Sequence, residues 1–119
     1  MASPGLGFVR KPALNAATAT TASGFVNVQG TQTVSVYLKS TGTTSSGVVT
    51  IETADFAQDQ ESLGYSGTWS AVTTVNASTF TGGAQTMVVL PAGAYSYVQV
   101  RVSTTIGGGG SVSADVVAA

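Results

Sequence analysis

Residues 94–106 read A-Y-S-Y-V-Q-V-R-V-S-T-T-I, and four glycines follow at 107–110. Val98, Val100 and Val102 recur every second residue, so an extended chain places them on one face. Tyr95, Tyr97, Gln99 and Arg101 then fall on the other. The run is too short and too β-branched for a helix, and its valine face requires a core. A strand with one apolar side must lie in a sheet that is covered on that side.

The same alternation recurs outward from this stretch. Residues 31–39, T-Q-T-V-S-V-Y-L-K, set Val34, Val36 and Leu38 inward and Ser35, Tyr37 and Lys39 outward. The glycine-bearing turn cluster 40–47 leads to V-V-T-I-E-T-A at 48–54, and the two strands read as a hairpin. Residues 68–75 form another strand, with the single tryptophan at 69. Q-T-M-V-V-L (85–90) is a strand stopped by Pro91, and S-V-S-A-D-V-V (111–117) is the last. A Gly-rich run between two alternating strands reads as a flexible hairpin loop. A phosphate cradle would need a helix after it. The only helical candidate is 54–63, a long connection. With one or two strands in 15–28 the count reaches seven or eight. The expected fold is all-β: a single antiparallel β-sandwich, jelly-roll or Ig-like, spanning 15–119, with an extended, flexible N-terminal arm at 1–14.

Composition restricts the chemistry. The chain has 119 residues, no Cys and no His, which removes the commonest metal ligands and the commonest general base. Four basic and five acidic residues leave a net charge of −1, so no nucleic-acid footprint is present. No apolar run approaches the length of a membrane span, and Pro12, Asn15 and Thr18 interrupt the N-terminal stretch before a signal sequence could form. Ser and Thr number 32, giving an uncharged, hydroxyl-rich surface suited to an assembly. Glu52, Asp55, Asp59 and Glu61 cluster, but without the glycine and spacing of a calcium loop they read as a solvated connection. Serine lacks a base to activate it, so no enzyme is expected, and no cofactor or metal is implied. Trp69 on a small sandwich strand reads as a core plug. A surface Trp stacking on sugar is its rival.

The succession V-V-T-I-E-T-A-D, G-T-W-S-A-V, M-V-V-L-P-A-G-A-Y-S-Y-V-Q-V-R-V and V-S-A-D-V-V, over residues 48–117, resembles small β-sandwich modules of tailed-bacteriophage virion proteins, of the head decoration (cement) or head-fibre type. The resemblance implies a non-enzymatic virion component, made in the host cytoplasm, whose late Y-x-Y-V-x-V-x-V strand pairs with the last one. A single module of this length implies a capsid decoration protein that binds the major capsid protein and stabilises the head lattice. It would do so as a homo-oligomer, with a trimer expected on a capsid lattice, and without nucleic acid or membrane as partner. A carbohydrate-binding module of a phage fibre or bacterial surface protein is the alternative. An exposed Trp69 beside polar side chains would favour it. The expected protein-contact residues are Phe8, Arg10 and Lys11 on the arm, Tyr37 and Lys39 on one strand, and Tyr97, Gln99 and Arg101 on another. Tyr and Arg offer large contact area with a polar end.

Overall fold

A computed structural model of the protein describes residues 9–22, 26–54, 69–91 and 95–119. Among them run the strands β1 (Val9–Ala17), β2 (Thr21–Ala22), β3 (Val26–Asn27), β4 (Val34–Thr41), β5 (Ser46–Ala54), β6 (Ser70–Asn76), β7 (Gln85–Val89), β8 (Tyr97–Gly107) and β9 (Ser111–Ala118). One 3-10 turn, Ala77–Phe80, separates β6 from β7. The four-stranded sheet has the order β1-β9-β4-β7, and the other has β2-β8-β5-β6 with β3 also paired to β8. All the pairings are antiparallel. The all-β two-sheet sandwich expected from the alternation is the fold observed.

The period-2 valines meet across the interior. Val36 and Leu38 of β4 and Val112, Ala114 and Val116 of β9 line one inner face, and Val49, Ile51, Val98, Val100 and Val102 line the other. Each fully buried aliphatic side chain contributes about 1.5–3 kcal/mol. The aromatic plug of this core is Phe80, held by the 3-10 turn, and not Trp69. Trp69 is half-buried and packs on a separate small cluster of Ala54 and Tyr97.

Three further expectations change. First, β4 and β5 are not a hairpin, and neither are β8 and β9: each consecutive pair lies in opposite sheets. Strands on two sheets that face one another show the same alternation as strands side by side, so periodicity does not separate the two cases. The connections at 42–45 and 107–110 are corners, and they lean on each other. The Ser45 N–H donates to Gly107 O at 2.9 Å, and the Gly110 N–H donates to Thr43 O at 2.7 Å. Thr44 is fully buried in this corner, donating from its hydroxyl to Ala77 O at 2.9 Å.

Second, the glycine run is a packed corner. Gly108 holds φ near 100°, and a Cβ at Gly110 would collide with the Thr41 and Thr43 carbonyl oxygens.

Third, the last residues of the expected arm are strand. Residues 9–14 belong to β1, which pairs along β9 from Val9↔Ala118, and Leu14 is buried in the core. Phe8, the rest of the arm, most of the helical candidate 54–63, and Asp55, Asp59 and Glu61 lie outside the described residues.

Close approach and left-handed backbone are separable in this corner. Gly109 has φ near 88° with open space around its Cβ position, whereas Gly110 faces backbone. Gly109→Ala should therefore cost only the left-handed strain, about 1–2 kcal/mol. Gly110→Ala, which forces backbone apart, should cost about 3 kcal/mol or more. Thermal or urea unfolding of the two variants checks the order, and equal losses would mean that the two corners do not pack as described.

Candidate functional site

The outer face of the four-stranded sheet is a grid set by strand register. Tyr37 stands between Met87 of β7 and Asp115 of β9, Lys39 between Gln85 and Ser113, and Ser35 between Val89 and Val117. Arg10 of β1 reaches over from the β9 side. Its Nη2 lies 2.9 Å from Asp115 Oδ2, and its guanidinium sits 5.7 Å from the Tyr37 ring centre, at the outer range of a cation–π contact. Arg10, Tyr37, Lys39, Gln85, Ser113 and Asp115 surround an open depression of about 230 Å³. Beside it Met87 is 50% exposed and Val89 59%, the two large hydrophobic side chains that stand out from the surface among the described residues. An ion pair this exposed adds little stability, so its effect is to orient Arg10 over Tyr37.

The outer face of the five-stranded sheet is closed by its own chemistry. Tyr97 and Gln99 were expected on a contact surface, but Tyr97 is fully buried with Ala54 and Trp69, and Gln99 is buried too. Glu52 stands directly opposite Gln99 in the ladder, with Arg101 two residues further along on the same face, opposite Thr50. The Gln99 amide Nε2 donates to Glu52 Oε1 at 2.7 Å, and Arg101 donates through Nε at 3.2 Å and through Nη2 to Oε2 at 3.0 Å. Glu52 is thus a buried acceptor holding three donors, not a solvated acid. Thr50, opposite Arg101 in the ladder, joins hydroxyls diagonally with Ser103 at 2.7 Å. Burial pushes the Glu52 carboxyl up, but the Arg101 and Gln99 hydrogen bonds and the Arg101 charge outweigh it and hold it below the ordinary glutamate value of 4.5. Glu52 in turn holds the Arg101 guanidinium above its ordinary range.

The expected contact residues therefore divide between the two sides of the sandwich. Arg10, Tyr37 and Lys39 come together on the four-stranded sheet. Gln99 and Arg101 form an internal network on the other sheet, and Tyr97 is core. Lys11 lies opposite inward-facing Val116 and so stands exposed at the margin of the sheet, away from Arg10. Sequence reasoning missed Met87, Val89, Gln85, Ser113 and Asp115. In Q-T-M-V-V-L every position after Thr86 is apolar, so the alternation that would reveal an outward Met87 and Val89 is absent. Among the described residues no three metal-ligating side chains converge, and no helix is long and apolar enough to cross a membrane.

No family model and no curated protein matches the sequence. The fold is similar to that of the SPBc2 prophage-derived protein YomS, at 15% identity, with 94% of this chain and 93% of that chain covered and a TM-score of 0.54. It is also similar to chitosan-binding module 1 derived from a chitosanase/glucanase of Paenibacillus sp. IK-5, at 22% identity, 94% and 95% coverage and a TM-score of 0.51. At these identities the likeness is one of fold: the chain folds as a β-sandwich of the size and layout seen in both.

The Glu52 network predicts an acid limb of stability. A carboxyl whose folded value is depressed contributes stability that is present above its unfolded value, near 4.5, and lost as pH falls through the folded value. Glu52→Gln should flatten that part of the pH profile measured by denaturant unfolding. Arg101→Met leaves the buried carboxylate with Gln99 alone. It should cost about 1–3 kcal/mol at neutral pH, under the range for fully buried pairs because the Arg101 side chain is 40% exposed. An Arg101→Met variant as stable as the parent would show that this face is solvated sheet.

Proposed function

We propose that this chain is a non-enzymatic structural module of a phage virion, a capsid decoration protein that docks on the major capsid protein through the outer face of its four-stranded sheet. The observation that carries the reading is the convergence of Tyr37, Arg10 and Lys39 beside exposed Met87 and Val89 on one face. Aromatic, Met and Arg side chains over an apolar patch, with Ser, Gln and Asp at the rim, are the composition of a protein-binding surface. The opposite sheet offers no comparable surface along β5 and β8, because its Tyr97, Gln99 and Glu52 are buried and Gln99 is bonded to Glu52.

Two further points support this reading. The fold is shared, over nearly the whole of both chains, with a prophage-derived protein. The sparse charge lets many copies crowd on a lattice with little mutual repulsion. Homo-oligomerisation and a virion location belong to the same proposal.

A glycan-binding reading has one observation of its own. Trp69 is half-buried next to Tyr97, on the sheet that carries Glu52 and Arg101, and the fold resembles a chitosan-binding module. Stacking of an indole on a sugar ring would need an open face of Trp69.

The two readings separate cleanly in one experiment. Tyr37→Ser with Lys39→Ser removes contact area but no core atom. It should leave the circular dichroism spectrum unchanged and weaken binding to heads prepared without the protein about 30-fold or more, the equivalent of a single hot spot of 2 kcal/mol. Unaltered head binding by the double variant would sink the docking face. Binding of glucosamine oligomers that is lost in Trp69→Ala, with no affinity for heads in the parent, would replace decoration by glycan recognition.

A further inference from the structure

The sandwich protects its sheet edges unequally. β1, one edge of the four-stranded sheet, carries Arg10, Lys11 and Pro12, and its ladder to β9 breaks register twice, between Pro12 and Leu14 and between Leu14 and Ala17. Ala16 there adopts the left-handed region, with φ of 51°. Charge, proline, an inward-side lysine and bulges are the devices that stop an edge from pairing with another chain. On the five-stranded sheet, β6 pairs with β5 through a register break between Ile51 and Glu52.

β7 has none of these. Gln85-Thr-Met-Val-Val89 is uncharged and free of proline, and it pairs with β4 in unbroken register. Among the described residues nothing pairs with its other side. The direction of its backbone groups follows from two hydrogen bonds. The Leu90 N–H donates to Val34 O at 2.9 Å, and the Ser40 N–H donates to Ala84 O at 3.2 Å. In an antiparallel ladder hydrogen-bonded pairs alternate. Ala84, Thr86, Val88 and Leu90 therefore turn their backbone groups to β4. Gln85, Met87 and Val89 turn theirs to the open edge. These are the residues whose side chains stand on the outer face, with Met87 half exposed and Val89 more than half.

We propose that β7 pairs with β7 of a second copy of this chain, antiparallel about a twofold axis at Met87, joining two four-stranded sheets into one. This goes beyond the docking reading, since it concerns copy against copy and holds whatever the outer face binds. The geometry is self-complementary. Gln85 meets Val89 of the second copy, and Met87 meets its own mate. All the outward N–H and C=O groups of the three residues are used, in about six hydrogen bonds, two for each hydrogen-bonded pair. Cross-strand neighbours in a ladder have Cβ atoms about 5 Å apart, so the two Met87 side chains touch and cover apolar surface. An uncharged strand meets its mate without repulsion. A foreign strand would need its own matching pattern, whereas the dyad supplies it. A five-residue edge falls short of the roughly 800 Å² per partner of a strong interface, so the dimer is expected in the micromolar range. The twofold closes on two copies, in place of the trimer expected from a capsid lattice.

The test is mass and amide exchange on the intact protein at about 100 µM, where a micromolar interface is saturated. The parent should sediment at twice its 11.8 kDa, with the Gln85, Met87 and Val89 amides protected. Met87→Lys with Val89→Lys, both at exposed positions, should sediment as single chains with those amides exchanging fast. Met87→Pro serves as the second variant, because it deletes an outward N–H and no bond to β4, and it too should halve the mass. The Tyr37→Ser, Lys39→Ser variant should remain dimeric, which separates this contact from head binding. A parent at 11.8 kDa would overturn the proposal. So would a dimer that survives both edge variants, or a dimer in which the three amides exchange as fast as in the variants.

Discussion

The sandwich depends on two apolar faces closing on each other across corners only a few residues long. β4 feeds β5 and β8 feeds β9 from one sheet to the other, and both turns occur at the same end of the molecule. The chain can change sheets this tightly because the two corners satisfy each other's backbone. Thr43 O accepts from Gly110, Gly107 O accepts from Ser45, and the buried Thr44 is bonded to Ala77 and Thr81. An unpaired backbone group at such a site would cost about as much as a lost hydrogen bond. The adjoining turn adds to the lock: the Gly82 N–H reaches Gly42 O, and the Gly83 N–H reaches the Ser40 hydroxyl. Without this end the valine faces could not be held at packing distance, and the outer-face register that assembles Tyr37, Lys39 and Met87 would have no frame.

What the sequence shows of this is the part carried by period 2. Val34, Val36 and Leu38, Val98, Val100 and Val102, and Val112, Ala114 and Val116 all point inward as their spacing requires. Connectivity between sheets is not written in that pattern. A glycine turn between alternating strands suits a hairpin and a corner equally well, and only the pairing partner tells them apart. The candidate site was half legible for the same reason. Tyr37 and Lys39 lie outward because Val36 and Leu38 lie inward. By the same logic Tyr97, Gln99 and Arg101 should face solvent, yet this outer face is buried from Tyr97 to Gln99. Tyr97 is covered by Ala54 and Trp69, and Gln99 and Arg101 are drawn in by Glu52, 49 residues from Arg101 along the chain. In sequence Glu52 sits among other acids and reads as a solvated loop, but the β5–β8 register makes it the acceptor for two side chains. Long-range polar pairing of this kind has no local signature.

The two outer faces therefore follow opposite logic with similar residue types. On the five-stranded sheet an arginine, a glutamine and a glutamate satisfy each other, and burial makes that arrangement costly to disturb. On the four-stranded sheet an arginine, a lysine and an aspartate surround a tyrosine in the open, where their pairing contributes little to stability. Chemistry directed inward specifies the strand register, and chemistry left in solvent is available to a partner. Met87 and Val89 make the same distinction among apolar residues, because nothing in the fold needs them exposed and each could be polar without loss to the core.

Charge placement ties the faces to the edges. Of the four cations, Arg10 and Lys11 stand on β1, where they close an edge, and Arg101 is held by Glu52. Lys39 is left on the open face, one strand in from β7 and level with the uncharged Gln85. A protein with so few charges could have shielded β7 by placing one of them there, since a single lysine on an edge strand discourages pairing. Its charges instead guard β1, whose outward groups are already interrupted by a proline and two register breaks. A hydroxyl-rich surface gives little general protection against association. The selective guarding of one edge and the bareness of the other thus make β7, together with the Tyr37 face that continues it, the side of the molecule on which contact is least opposed.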